Sequence, residues 1–140
     1  MKRIGESIKK TRRVPEKARL QVGAVPVRHS PDGSIEVLLV TTRTTKRWTV
    51  PKGWPIKGLK AHEAAAREAQ EEAGAIGTIR RKSMGRYLYW KRMEDYMLLC
   101  EVKLFLLTVT GRLDDWPERD QRRHQWFKLA TRPTWSRSRA

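Results

Sequence analysis

At 140 residues the chain is one domain's length, enough to bury roughly two thirds of the surface its unfolded form exposes, which excludes a small disulfide-stapled scaffold. Its 31 Lys and Arg against 15 Asp and Glu give a net charge of +16, a field that attracts polyanions: nucleic acid, polyphosphates or an anionic membrane surface. The single cysteine, Cys100, rules out an internal bridge and fits a reducing compartment, and no stretch resembles a signal peptide or a membrane span, so a soluble, cytoplasmic protein is expected.

The first segment, MKRIGESIKKTRRVPEK, lacks a sustained apolar period and is expected to be a basic arm (1–17), with the folded domain over 18–130. RLQVGAVPVR alternates as a strand does, with Leu20, Val22 and Ala24 on one face, and Pro26 points to a sheet edge or a bulge. SPDGS turns into IEVLLVTTR, apolar enough to be buried on both faces, and RWTVPKG gives a short third strand closed by Pro51 and Gly53. A helix is expected over 60–73, rich in Ala, Glu, Arg and Gln, with Gly74 at its C-terminal cap. TIRRKSMGRYLYW, YMLLCEVKLFLLTVTGRL and HQWFKLA are rich in β-branched and aromatic residues, with DDWPERDQ as the loop before the last. That makes five or six strands and one helix, and TRPTWSRSRA (131–140) has the composition of a basic, disordered tail.

The helix carries the chemistry. Glu68, Glu71 and Glu72 fall at i, i+3 and i+4, one narrow face, together with Ala61, Ala64 and Ala65; Ala66, Ala69 and Ala73 fall opposite, where small side chains allow close packing on a sheet. A solvated acidic face is one reading. It expects basic residues interleaved at i+4, and although Glu63 and Arg67 have that spacing, Glu68 and Glu72 are like charges at the same spacing, a repulsion of about 0.2–0.5 kcal/mol in an isolated helix. A bound cation reverses that sign, and Mg²⁺ suits clustered carboxylates because it takes hard oxygen ligands and leaves positions for water and substrate phosphates. Spacing alone leaves both readings open.

The stretch from Gly53 to Ala75 resembles the Nudix box: Gly, five residues, Glu, seven residues, Arg-Glu, an apolar residue, any residue, Glu-Glu, any residue, Gly and an apolar residue. Gly53, Arg67, Glu68, Ala69, Glu71, Glu72, Gly74 and Ala75 fall in register, and Leu59 stands where the family has its first glutamate. VLLVTTRTTKRWTVPKG before the box and LDDWPERDQRRHQWFKLA after it are similar to the diphosphoinositol polyphosphate and dinucleoside polyphosphate phosphohydrolase branch. The resemblance implies an α/β fold, an α/β/α sandwich around a mixed β-sheet, usually completed by a C-terminal helix that the tail does not resemble.

It further implies Mg²⁺ or Mn²⁺ as cofactor, Glu68 and Glu72 as metal ligands, Glu71 as a further ligand or the general base, and hydrolysis of a diphosphate linkage by metal-activated water, with Glu71 and Glu72 as the catalytic pair. Gly53, Arg67 and Gly74 hold the structural positions of the box. Arg28, Arg43, Lys52 and Lys128 are the candidate phosphate-binding residues. His29, His62 and His124 are scattered, and no Ser-His-Asp or Cys-His arrangement is present. The expected partner is a phosphate-rich small molecule such as a nucleoside or dinucleoside polyphosphate. The alternative is a catalytically weak Nudix-like domain binding RNA or another polyanion, which Leu59 and the charge favour and the three glutamates oppose. Leu59 also implies a weakened metal site, needing millimolar Mg²⁺ or favouring Mn²⁺.

Overall fold

The computed structural model describes residues 18–130; the expected arm, 1–17, and tail, 131–140, lie outside the described residues. The domain is built on one mixed sheet. Its strands are β1 (Arg19–His29), β2 (Ile35–Thr41), β3 (Trp48–Thr49), β4 (Lys52–Gly53), β5 (Ala75–Ile79), β6 (Gly85–Arg92), β7 (Met97–Arg112) and β8 (His124–Lys128), with helix α1 (Ala61–Ala73) between β4 and β5. β1 and β7 run parallel through the middle, from Arg19 opposite Cys100 to Val27 opposite Thr108. Every other pairing is antiparallel.

There are eight strands rather than five or six, and the two extra come from interruptions. TIRRKSMGRYLYW divides because β5 and β6 both pair with β7, while the residues between them step out of the ladder: Arg80 N–H donates to Leu106 and Met84 N–H to Leu104. RWTVPKG divides at Val50 and Pro51, so that β3 pairs with β2 and β4 with β1.

Pro26 is not at a sheet edge. Its strand is central, and it is tolerated there because backbone N–H groups alternate in direction along a strand. The Ala24 N–H donates to Pro51 at 3.0 Å, so position 26 points the same way, into the gap between the β4 pairing, which involves Val22 and Gly23, and the β2 pairing, which starts at Val27. No ladder bond is lost.

The main core lies between α1 and the sheet, where Ala64, Ala65, Ala69 and Ala73 meet Val22, Ala24, Leu38, Val40, Phe105 and Leu107. Leu106 points the other way and joins Val27 and Ile35 on the opposite face. Leu20, although in phase with Val22 and Ala24, remains 43% exposed near the start of β1. Cys100 is fully buried.

The helix is rotated from the expected orientation. Ala64 and Ala65, expected beside the acids, are core residues, whereas Ala66 is only partly buried. At about 100° per residue the buried face centres on position 72, so Glu72 is carried under the helix and is 5% exposed. Glu63 does not pair with Arg67; its carboxylate accepts the Lys60 N–H at 2.8 Å and caps the first turn. Gly74 closes the last turn at φ 65°, with its N–H on the Gln70 carbonyl at 2.9 Å.

Candidate active site

A cavity of about 1140 Å³ opens beside α1, and Glu68, Glu71 and Glu72 all line it. The bend from β4 into the next loop fits against the helix because residue 53 has no side chain: a Cβ on Gly53 would overlap the Glu68 carboxylate. One residue earlier, the Lys52 N–H donates to Glu72 Oε1 at 3.3 Å.

The loop between β7 and β8 is fastened over the end of the helix. Glu118 N–H donates to the Glu71 carbonyl at 3.1 Å and Trp116 Nε1 to the Glu72 carbonyl at 3.2 Å. Arg122, with its side chain 10% exposed, ties this loop to the site through Nε to Glu118 at 2.7 Å, Nη1 to the Thr41 carbonyl at 3.0 Å and Nη2 to Glu72 Oε2 at 3.4 Å.

The electrostatics follow from burial. Loss of hydration pushes the Glu72 carboxyl up to about 8; Arg122 opposes that shift, and the charges of Glu68 and Glu118 reinforce it. Burial also raises Glu68, with the negative charge of Glu71 adding to it. Lys52 is lowered, again first by burial, although Glu72 pulls the other way. Among the described residues Arg122 is the one cation bonded to these partly desolvated carboxylates, while Arg43, Arg47, Lys91 and Arg92 stand elsewhere on the same wall.

This donor set fits a divalent cation. Among the described residues no three acidic, histidine or cysteine side chains converge closely enough to ligate one ion by themselves. Mg²⁺ does not require that, because it is commonly held by one or two carboxylates with water and phosphate oxygens filling the remainder. Glu68 and Glu72 would be that pair, with Glu71 on the same wall.

Of the four candidate phosphate-binding residues, Arg43 and Lys52 line the cavity and Arg28 and Lys128 do not. Arg28 binds Glu36 at 2.8 Å with its guanidinium 4.0 Å from the Trp126 ring centroid, and Lys128 reaches Asp32 in the β1–β2 turn at 2.9 Å. Arg67 is exposed and makes no ion pair among the described residues. Leu59 packs against the main core and is not part of the cavity wall. No histidine lines the cavity. Glu118 and Arg122 are not evident from the sequence, because Glu118 lies in DDWPERDQ and Arg122 just after it, where the composition signals only a loop; their i, i+4 spacing is the available signal.

A capped helix bearing Arg-Glu and Glu-Glu, preceded by a glycine-bounded bend and packed on a mixed sheet, defines a Nudix-type domain with the Nudix α/β/α architecture. The family model described as "NUDIX domain" matches residues 17–137, and the chain belongs to the Nudix family. It is 34% identical over 116 residues to Nudix hydrolase 21, chloroplastic, of Arabidopsis thaliana, covering 80% of this chain and 57% of that protein. It is 38% identical over 98 residues to diphosphoinositol polyphosphate phosphohydrolase 3-alpha of Mus musculus, covering 67% of this chain and 56% of that one. The chain thus spans about half the length of the curated relatives it matches. Among solved structures, a C. elegans Ap4A hydrolase in a binary complex aligns with a TM-score of 0.56 at 23% identity, over 79% of this chain and 80% of that one. The NUDIX domain of Shewanella oneidensis NrtR complexed with ADP ribose aligns at 0.57 and 16%, over 88% and 83%.

Proposed function

We propose that this protein is a divalent-metal-dependent pyrophosphohydrolase that cleaves a diphosphate linkage in a nucleoside or dinucleoside polyphosphate or a similar polyanion. The observation that carries this reading is the single cavity in which Glu68, Glu71 and Glu72 share the wall with Arg43 and Lys52. The relatives support it: one is named for a diphosphoinositol polyphosphate, one solved neighbour for Ap4A, and another is complexed with ADP ribose.

Glu68 and Glu72 would hold the cation, which when bound would supply positive charge to polarise the diphosphate and acidify water. Arg43 and Lys52 bind phosphate oxygens and orient the chain of phosphates along the cavity. Glu71, outside the side-chain network of Arg122 and Glu118, accepts the proton of the attacking water; the new P–O bond forms as the bond to the bridging oxygen breaks, and a phosphate or nucleotide leaves. Arg122 keeps Glu72 and Glu118 in place. No covalent enzyme intermediate is involved.

The test is release of phosphate or nucleoside monophosphate from a panel of polyphosphates, with and without Mg²⁺. Turnover unaffected by chelator sinks the metal mechanism. The net charge of +16 favours the second reading, a polyanion-binding domain with little catalysis. Absence of turnover across the panel, with RNA still bound, would establish it.

A further inference from the structure

The proposed chemistry uses the acidic and basic walls of the cavity and leaves its aromatic wall without a role. Trp54 directly follows Gly53, the residue that abuts the Glu68 carboxylate, and its side chain lines the cavity while remaining 39% exposed. Trp90 and Met97 line the same cavity and are 61% and 54% exposed. A scattered exposed apolar residue is ordinary on a protein surface. Three large ones opening into the cavity that holds the carboxylates are a different matter, because a diphosphate group has no use for apolar surface.

Trp54 is also held in place. Pro55 after it restricts its backbone, and Gly53 before it is fixed by the β4 pairing with Val22. The Arg19 guanidinium lies 5.7 Å from the ring centroid, close enough to hold the ring by a cation–π contact, and Arg19 is not part of the cavity wall. The exposed part of the ring, on the cavity wall, is left for a planar ligand. The two chemistries represented among the relatives differ at this point: an inositol pyrophosphate carries phosphates around a saturated ring and offers no π-face, whereas a nucleobase does.

We propose that Trp54 is a stacking platform for a nucleobase, so that the site takes nucleoside polyphosphates in preference to inositol pyrophosphates. This rests on the hydrolase reading above and narrows its substrate class. The base lies on Trp54, and the phosphates extend past Gly53 towards Glu68 and Lys52. Base–aromatic stacking is worth about 1–3 kcal/mol by alanine substitution, and a factor of ten corresponds to about 1.4 kcal/mol.

The experiment compares wild type, Trp54→Ala and Trp54→Phe on diadenosine tetraphosphate, an inositol pyrophosphate and inorganic tripolyphosphate, with thermal melts confirming that each variant is folded. The expected result is that the kcat/KM ratio of diadenosine tetraphosphate to tripolyphosphate falls about tenfold or more in Trp54→Ala, mainly through KM, and that Trp54→Phe restores most of it. An unchanged ratio, an equal loss on both substrates, or a wild-type preference for the inositol pyrophosphate overturns the platform. If wild type turns over none of the three, the hydrolase reading fails separately. The platform is then decided by calorimetric binding of diadenosine tetraphosphate and tripolyphosphate, where the affinity ratio must fall in Trp54→Ala or the inference is wrong.

Discussion

The Arg122 guanidinium lies 3.4 Å from the Glu72 carboxylate, and both side chains are withdrawn from solvent, at 10% and 6% exposed. Glu118 is the closer partner of the same guanidinium, at 2.7 Å. A buried pair of this kind contributes little net stability, but removing one member is costly because the other charge is left without compensation.

Arg122→Gln is therefore expected to destabilise the metal-free protein by roughly 3 kcal/mol, since Glu72 and Glu118 lose their shared cation while Glu68 stays nearby. A ligand that binds only the folded state raises stability, so Mg²⁺ added to the variant should raise its melting midpoint more than it does for wild type. Equal shifts in the two proteins would mean that the ion does not approach the carboxylates Arg122 serves.

Glu68→Gln and Glu72→Gln are expected to lose activity by about 100-fold or more with the fold intact. Each replaces a carboxylate that burial already disfavours by a neutral side chain of nearly the same shape. Measured without metal beside the activity assay, a melting midpoint at or above wild type in Glu68→Gln, and in Glu72→Gln one lowered by only a few degrees because Arg122 keeps its closer partner Glu118, separates loss of a ligand from loss of the fold. Full activity in both variants would show that the ligands have been misassigned.

Gly53→Ala tests the bend against the helix. Gly53 has ordinary backbone angles rather than a left-handed conformation, so the added methyl brings no backbone strain. The three atoms nearest to it all belong to the flexible carboxylate end of Glu68, which moves aside. Stability should change by less than about 1 kcal/mol while the half-saturating Mg²⁺ concentration rises several-fold. A variant with wild-type metal dependence would place the cation away from Glu68.

Preference for substrates with several consecutive phosphates is expected, because Arg43 and Lys52 act within the field of a chain carrying +16. Exposed charges are screened beyond about 8 Å at physiological ionic strength, so KM for the longest polyphosphates should rise most steeply with salt. Flat salt dependence across the series would rule out steering by the overall charge.

The box was legible because its residues are fixed by local geometry: the acids share a helical face and Gly74 supplies the positive φ of the cap. The central β-strands were legible from unbroken apolar runs. The rotation of α1 was not, because alanine fits both a packed helix face and an open wall, and only contact with Phe105 and Leu107 shows which face is buried. Glu118 and Arg122 escaped notice for a different reason. Their roles depend on a loop folding back across some 50 residues of sequence to meet Glu72, a distance that local spacing does not encode.

Leu59 is the position where the family's pattern and this chain part. Sequence reasoning ties the missing glutamate to a weakened metal site, which suggests that restoring it would tighten binding. The structure changes that expectation. Leu59 follows a turn in which its own N–H donates to Ile56 at 3.0 Å, and its side chain packs with Ile56 and Ala61 against the core under α1, not into the cavity. A glutamate here gives up apolar burial and sets a carboxylate against hydrocarbon, a loss of about 1–2 kcal/mol for a partly buried side chain. Leu59→Glu is accordingly expected to lower the melting midpoint by a few degrees and to leave the half-saturating Mg²⁺ concentration unchanged. A magnesium titration of activity beside a thermal melt checks both; a lower half-saturating concentration would show that residue 59 swings out of the core to meet the metal, and that the leucine alone had weakened the site.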